Sequence, residues 1–170
     1  MTDFTTKENT KIHFAHPAYR FAERFEARGT GIPCFQTWSP EETLEHIGEA
    51  STLVVSGFWR NEFIENLGAL RFVQVCAAGY DQFNQGAFSQ NSIRLANASG
   101  VNVNAVSDHA MALMLGLIRQ LHYARDNQRK HHWRGMISDL SAREDELAGR
   151  TILIIGMGAI GSRLARLARA

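Results

Sequence analysis

Apolar positions in the first hundred residues fall in short runs separated by helically spaced stretches. Residues 12–15, 34–37, 52–55 and 71–75 have the length and composition of strands, and residues 93–96 form a weaker fifth. Between them, Phe21 and Phe25 lie four apart within 18–28, as on one helix face, and Gly29 ends that stretch. Ser39-Pro40-Glu41-Glu42 predicts a helix start: Ser caps, Pro occupies the first helical position, and the acids favour the positive end of the helix dipole. Leu44, Ile47 and Gly48 carry that helix to its end, and residues 61–67 fit a short helix. Alternation of this kind predicts a parallel, doubly wound α/β sheet.

The longest helical pattern runs from Asn104 to about Arg125. Val106, Ala110, Leu113, Leu117 and Leu121 make one stripe, and Met111, Met114, Leu115 and Ile118 widen it until most of the helix is apolar. Such a helix is expected to be buried between layers or domains, with His109 as a hydrogen-bonded packing residue on it. Residues 126–146 are polar, with Trp133 and Met136 as isolated apolar positions, and read as an arm. Residues 147–150 turn into Thr151-Ile152-Leu153-Ile154-Ile155, a β-branched run expected to be a strand that bends sharply into a helix at Gly156.

Composition changes this picture little. With 170 residues, 45% hydrophobic and 21% charged, the chain is ordinary globular material of one to two domains. A net charge of +1 gives no nucleic-acid footprint or polybasic membrane patch. The polar start, residues 1–7, has no signal-peptide apolar region, and the longest apolar run, 110–118, is about half of what a bilayer span needs. Cys34 and Cys76 lack metal or redox spacing and read as reduced thiols in a cytoplasmic protein. Arg119, Arg125, Arg129, Lys130 and Arg134 read as a solvated basic face. His131 and His132 have no Cys or acid partners at ligand spacing, so no metal site is expected; His13 and His16 have no motif around them.

Candidate chemistry concentrates at Gly156-Met157-Gly158-Ala159-Ile160-Gly161. In this pattern Gly156 permits the tight turn, Gly158 lets the backbone approach a pyrophosphate, and Gly161 lets helix and strand pack closely. The amides of Ala159 and Ile160 would point at the phosphates. The alternative is a tight turn that binds nothing.

Residues 147–161 resemble the D-isomer-specific 2-hydroxyacid dehydrogenases. Cys76-Ala77-Ala78-Gly79-Tyr80-Asp81 resembles that family's loop after the fourth strand of its substrate domain. Residues 102–110 resemble the start of its interdomain helix, and residues 126–134 with Trp133 resemble the arm that follows. The resemblance spans about Thr52 to Ala170.

It implies a flavodoxin-like substrate domain, residues 1–103, facing a Rossmann dinucleotide-binding domain across a cleft. Residues 104–170 would supply the interdomain helix, the arm and only the first strand-turn-helix of that second domain. Hydride would pass between NAD or NADP and a small 2-oxo or 2-hydroxy acid. Amides of Ala78 and Gly79 would cradle the substrate carboxylate, Asn102 would stand at the hinge, and Val103 would sit near the nicotinamide. A homodimer through the interdomain helix and arm is implied. Asp108 stands where the family usually has Glu, and Ala159 where it often has Arg. The family's catalytic Arg, acid and His are expected beyond Ala170, so no catalytic residue is assigned here and the chain is expected to be inactive alone. The other reading is a non-catalytic module that binds a small carboxylate or associates with subunits.

Overall fold

The computed structural model describes residues 6–170, so most of the expected polar start lies outside the described residues. The chain divides into two compact units, Met1–Ser99 and Gly100–Ala170.

The first unit is built on five parallel strands: β1 (Ile12–Ala15), β2 (Cys34–Thr37), β3 (Thr52–Val55), β4 (Phe72–Val75) and β5 (Arg94–Ala96). Their order is β2-β1-β3-β4-β5, the flavodoxin-like arrangement. All five strands expected from the apolar runs are present, with 71–75 and 93–96 each one residue shorter. The register sets His13 beside Phe35 and Leu53, and Leu53 beside Val73, so these side chains share one face.

Helices cover both faces. On one, Phe14 meets Phe21 and Phe25 of α1 (Phe21–Glu26) at ring-centroid distances of 5.9 and 5.7 Å. Those phenylalanines are the pair spaced for one helix face. On the other face, α2 (Pro40–His46) brings Thr43 against Thr37. Its start follows the expected chemistry: the Glu42 N–H donates to Ser39 Oγ at 3.1 Å, with Pro40 in the first turn. The core lies on this side, where Leu53, Val55, Val73 and Val75 are fully buried under Ile47, Phe63 and Leu70. Trp59, Phe83 and Phe88 close it with ring contacts of 4.9 to 6.0 Å. Residues 61–66 form a 3-10 helix. Helix α3 (Gln85–Gln90), capped by Asn84, was not legible from the apolar pattern, because Phe88 is its one buried residue.

The second unit holds α4 (Val103–Ile118), α5 (Leu121–Arg129) and α6 (Ala159–Arg169). Four expectations are corrected here. The long helix breaks at Gln120, whose φ of +50° ends α4 and starts α5. The covered face of α4 is Val103, Ser107, Met111, Met114 and Ile118, whereas Leu113 (60%) and Leu117 (70%) of the expected stripe are exposed. Apolar residues surround α4 almost completely, so the residues that end up covered depend on where α6 packs, not on the stripe. His109 is exposed, not a packing residue.

The fourth correction concerns 151–155, which form no strand. A strand exists through hydrogen bonds to a neighbour, and no described residue of the second unit belongs to one. Leu153 (83%) and Ile155 (92%) are left exposed. The arm residues Trp133 and Met136 are fully exposed as well. No helix among the described residues is long and apolar enough to cross a membrane.

Candidate functional site

The candidate residues sit in two separate places, one in each unit. In the first unit, residues 76–79 leave the carboxyl end of β4, where open α/β sheets place ligands. The Cys76 N–H extends the ladder by donating to Val55 O at 2.9 Å. Ala77 is half-buried against the core, and Ala78 and Gly79 then emerge into solvent. Two bonds from the segment after β5 hold this loop: Ala98 N–H donates to Ala77 O at 3.0 Å, and Asn97 Nδ2 donates to Ala78 O at 2.7 Å. Asn97 carried no signal in the sequence, because the contact joins residues nineteen apart across two strand ends.

Neither thiol near these strands sits in surroundings that favour its thiolate. Burial pushes the Cys76 thiol above its ordinary range, and burial with the Glu26 carboxylate does the same to Cys34. Both are free.

In the second unit, Gly158 is the residue before α6, which begins at Ala159 and continues through Ile160 and Gly161. Gly156 turns the chain at φ +100°, a conformation that L side chains rarely adopt. Gly161 is buried, and a Cβ there would collide with Gly156 O and crowd Ile154 Cγ2. The loop and helix therefore approach as closely as the glycine pattern requires, even though 151–155 are unpaired. Ser162 ties the turn from the helix side, its Oγ donating to Met157 O at 3.1 Å. No side chain caps α6, so its opening amides remain for an outside acceptor. A positive helix end, exposed amides at Ala159 and Ile160, a left-handed turn at Gly156 and the crowded Gly161 fit a diphosphate.

One arginine fixes this helix to α4. Arg163 Nη1 donates to Ser107 Oγ and Asp108 Oδ1, each at 2.5 Å, and to Asn104 O at 3.3 Å. Asp108 thus pairs with Arg163, a contact that the glycine motif does not reveal. Asn102 is exposed just before α4 and its carbonyl accepts from Val106 N–H at 2.9 Å; Val103 is half-buried.

The basic stretch is partly internally paired: Arg125 with Asp126, Arg134 with Glu144, and Arg119 Nη1 on Asp145 O at 3.1 Å. His131 and His132 lie beyond α5, and both are exposed. Elsewhere His13 Nε2 pairs with Thr37 Oγ1 at 2.7 Å in the core, and His16 Nδ1 accepts from Ala18 and Tyr19 N–H at 3.0 and 2.8 Å. These are structural assignments.

A family model described as the D-isomer specific 2-hydroxyacid dehydrogenase, NAD binding domain, matches residues 111–170. The chain is 28% identical to a glycerate dehydrogenase of Methylorubrum extorquens over 137 residues, covering 79% of this chain and 44% of the relative. It is 33% identical to a glyoxylate/hydroxypyruvate reductase B of Yersinia enterocolitica over 126 residues, 74% of this chain and 38% of the relative. The crystal structure of the PH0520 protein from Pyrococcus horikoshii superposes with a TM-score of 0.70 at 26% identity, over 93% of this chain and 49% of that one. The chain thus spans less than half the length of these relatives. Over residues 111–170 the chain is similar to the D-isomer specific 2-hydroxyacid dehydrogenase family.

Proposed function

We propose that this chain supplies the carboxylate loop, the hinge and the phosphate-binding turn of an NAD- or NADP-dependent dehydrogenase acting on a small 2-oxo or 2-hydroxy acid. The close approach of Gly161 to Gly156 at the open end of α6 carries this reading. Ala78 and Gly79 hold the substrate carboxylate through backbone N–H groups, which bind an anion without a charged side chain. The amides of Ala159 and Ile160 receive the cofactor's diphosphate, with Gly156, Gly158 and Gly161 shaping the approach. Asn102 serves as the hinge, and Val103 lies beside the nicotinamide. When bound, the dinucleotide supplies or accepts the hydride.

No residue here is given the proton-transfer role. His13 is buried and engaged with Thr37, His16 is tied to its own turn, and His109, His131 and His132 are exposed with no carboxylate partner among the described residues. Purified chain mixed with NADH and glyoxylate or pyruvate is expected to show no turnover. NADH alone is expected to shift the backbone amide resonances of Ala159 and Ile160 in a nitrogen-15 titration. Unmoved resonances at saturating NADH would remove the basis for the proposal.

The free thiols support a reducing, cytoplasmic setting. A second reading, subunit association, has its own support: Leu113, Leu117, Trp133 and Met136 offer exposed apolar surface on α4 and the arm. It is compatible with a homodimer formed there.

A further inference from the structure

We infer that Asn97 is a positioning residue: by holding the Ala78 carbonyl it aims the Gly79 N–H at the carboxylate of the bound acid. This rests on reading Ala78 and Gly79 as the carboxylate cradle.

The argument is geometric. The peptide joining Ala78 to Gly79 is trans, so its carbonyl and its N–H point to opposite sides. Asn97 Nδ2 binds that carbonyl at 2.7 Å from the segment following β5. The Gly79 N–H is therefore turned away from the protein segment that holds the loop. No hydrogen-bond acceptor meets it among the described residues. A Cβ built on Gly79 would touch nothing within 4 Å, so the space around this amide is open. Ala98 N–H on Ala77 O at 3.0 Å fixes the preceding peptide from the same segment, which leaves the Ala78–Gly79 plane little freedom to rotate.

The side chain suits this task at both ends. Asn97 Oδ1 accepts from Ser99 N–H at 3.3 Å while Nδ2 donates to the loop. An aspartate would keep the first bond and lose the second; an alanine would lose both. With the Asn97 donor removed, the peptide can rotate and present a carbonyl oxygen to the carboxylate instead of an N–H, which repels it.

The test uses the whole chain and oxamate, a non-reducible carboxylate analogue of a 2-oxo acid. In the wild-type protein, oxamate is expected to shift the Gly79 amide resonance. Asn97→Ala is expected to move that resonance in ligand-free protein and to weaken oxamate about three- to tenfold, with melting temperature unchanged. Asn97→Asp keeps the acceptor, removes the donor and adds a charge, so it must move the ligand-free Gly79 resonance too. A Gly79 resonance and oxamate affinity unchanged by Asn97→Ala overturn the inference while the cradle stands. A wild-type Gly79 that ignores oxamate overturns the cradle, and the inference with it.

Discussion

A buried chain of hydroxyls decides the protonation of His13. Ser39 O can only accept, so Thr43 Oγ1 donates to it at 2.8 Å. The single Thr43 proton is then spent, and Thr37 must donate to Thr43. Thr37 in turn accepts from His13, which fixes the Nε2–H tautomer and leaves Nδ1 as an unpaired lone pair. A second proton on the ring would have no acceptor. Burial lowers the His13 pKa from 6.5 to about 4, aided by His46 and Lys11 and opposed by Glu49; burial lowers His16 in the same direction. Both neutral rings are favoured by folding, so the unfolded chain binds more protons at acid pH. Stability is thus full above about pH 6.5 and falls as pH drops towards 4, by at most about 3 kcal/mol for His13. Urea titrations of the sheet unit across this range measure the slope, and a flat profile would contradict the buried neutral ring.

Arg163 acts at the scale of elements. Its Nη1 gathers Asn104 O, Ser107 Oγ and Asp108, which links the first turn of α4 to the helix that opens at the glycine turn. Charge-assisted bonds of this kind contribute about 1.5–3 kcal/mol each when sheltered, and less here because Asp108 is mostly exposed. Arg163→Met keeps the apolar stem and removes the donors. It is expected to destabilise the second unit by about 1–2 kcal/mol and to leave the sheet unit unchanged. Amide exchange read separately along α6 and along β3 and β4 distinguishes these effects. Equal acceleration in both would show that the arginine does not act locally.

The whole molecule joins two units of unequal cohesion. The first buries a continuous cluster around Leu53, Val73, Phe63 and Trp59. In the second, Ser107 and Gly161 are fully covered, while Leu113, Leu117, Leu153 and Ile155 face solvent. Buried apolar area is the main source of stability, so the second unit is expected to open first. Hydrogen exchange should show strong protection in β3 and β4 and weak protection through 140–158; equal protection would refute this imbalance. The exposed apolar surface also predicts concentration-dependent association, measurable by sedimentation.

Much of this was legible in the sequence, because it depends on neighbouring residues. Strand positions follow from the local runs, the Ser39 cap from its spacing to Glu42, and the sharp turn from Gly156 and Gly161, where the backbone itself excludes side chains. What depended on distant partners was not legible. A strand needs a second strand, so 152–155 stayed coil despite their composition. A helix apolar on every side does not say which side will be covered, so α6 and Arg163 chose the face of α4. Asn97 and the hydroxyl chain behind His13 exist only because separate segments meet in space, and no periodicity in the sequence records such a meeting.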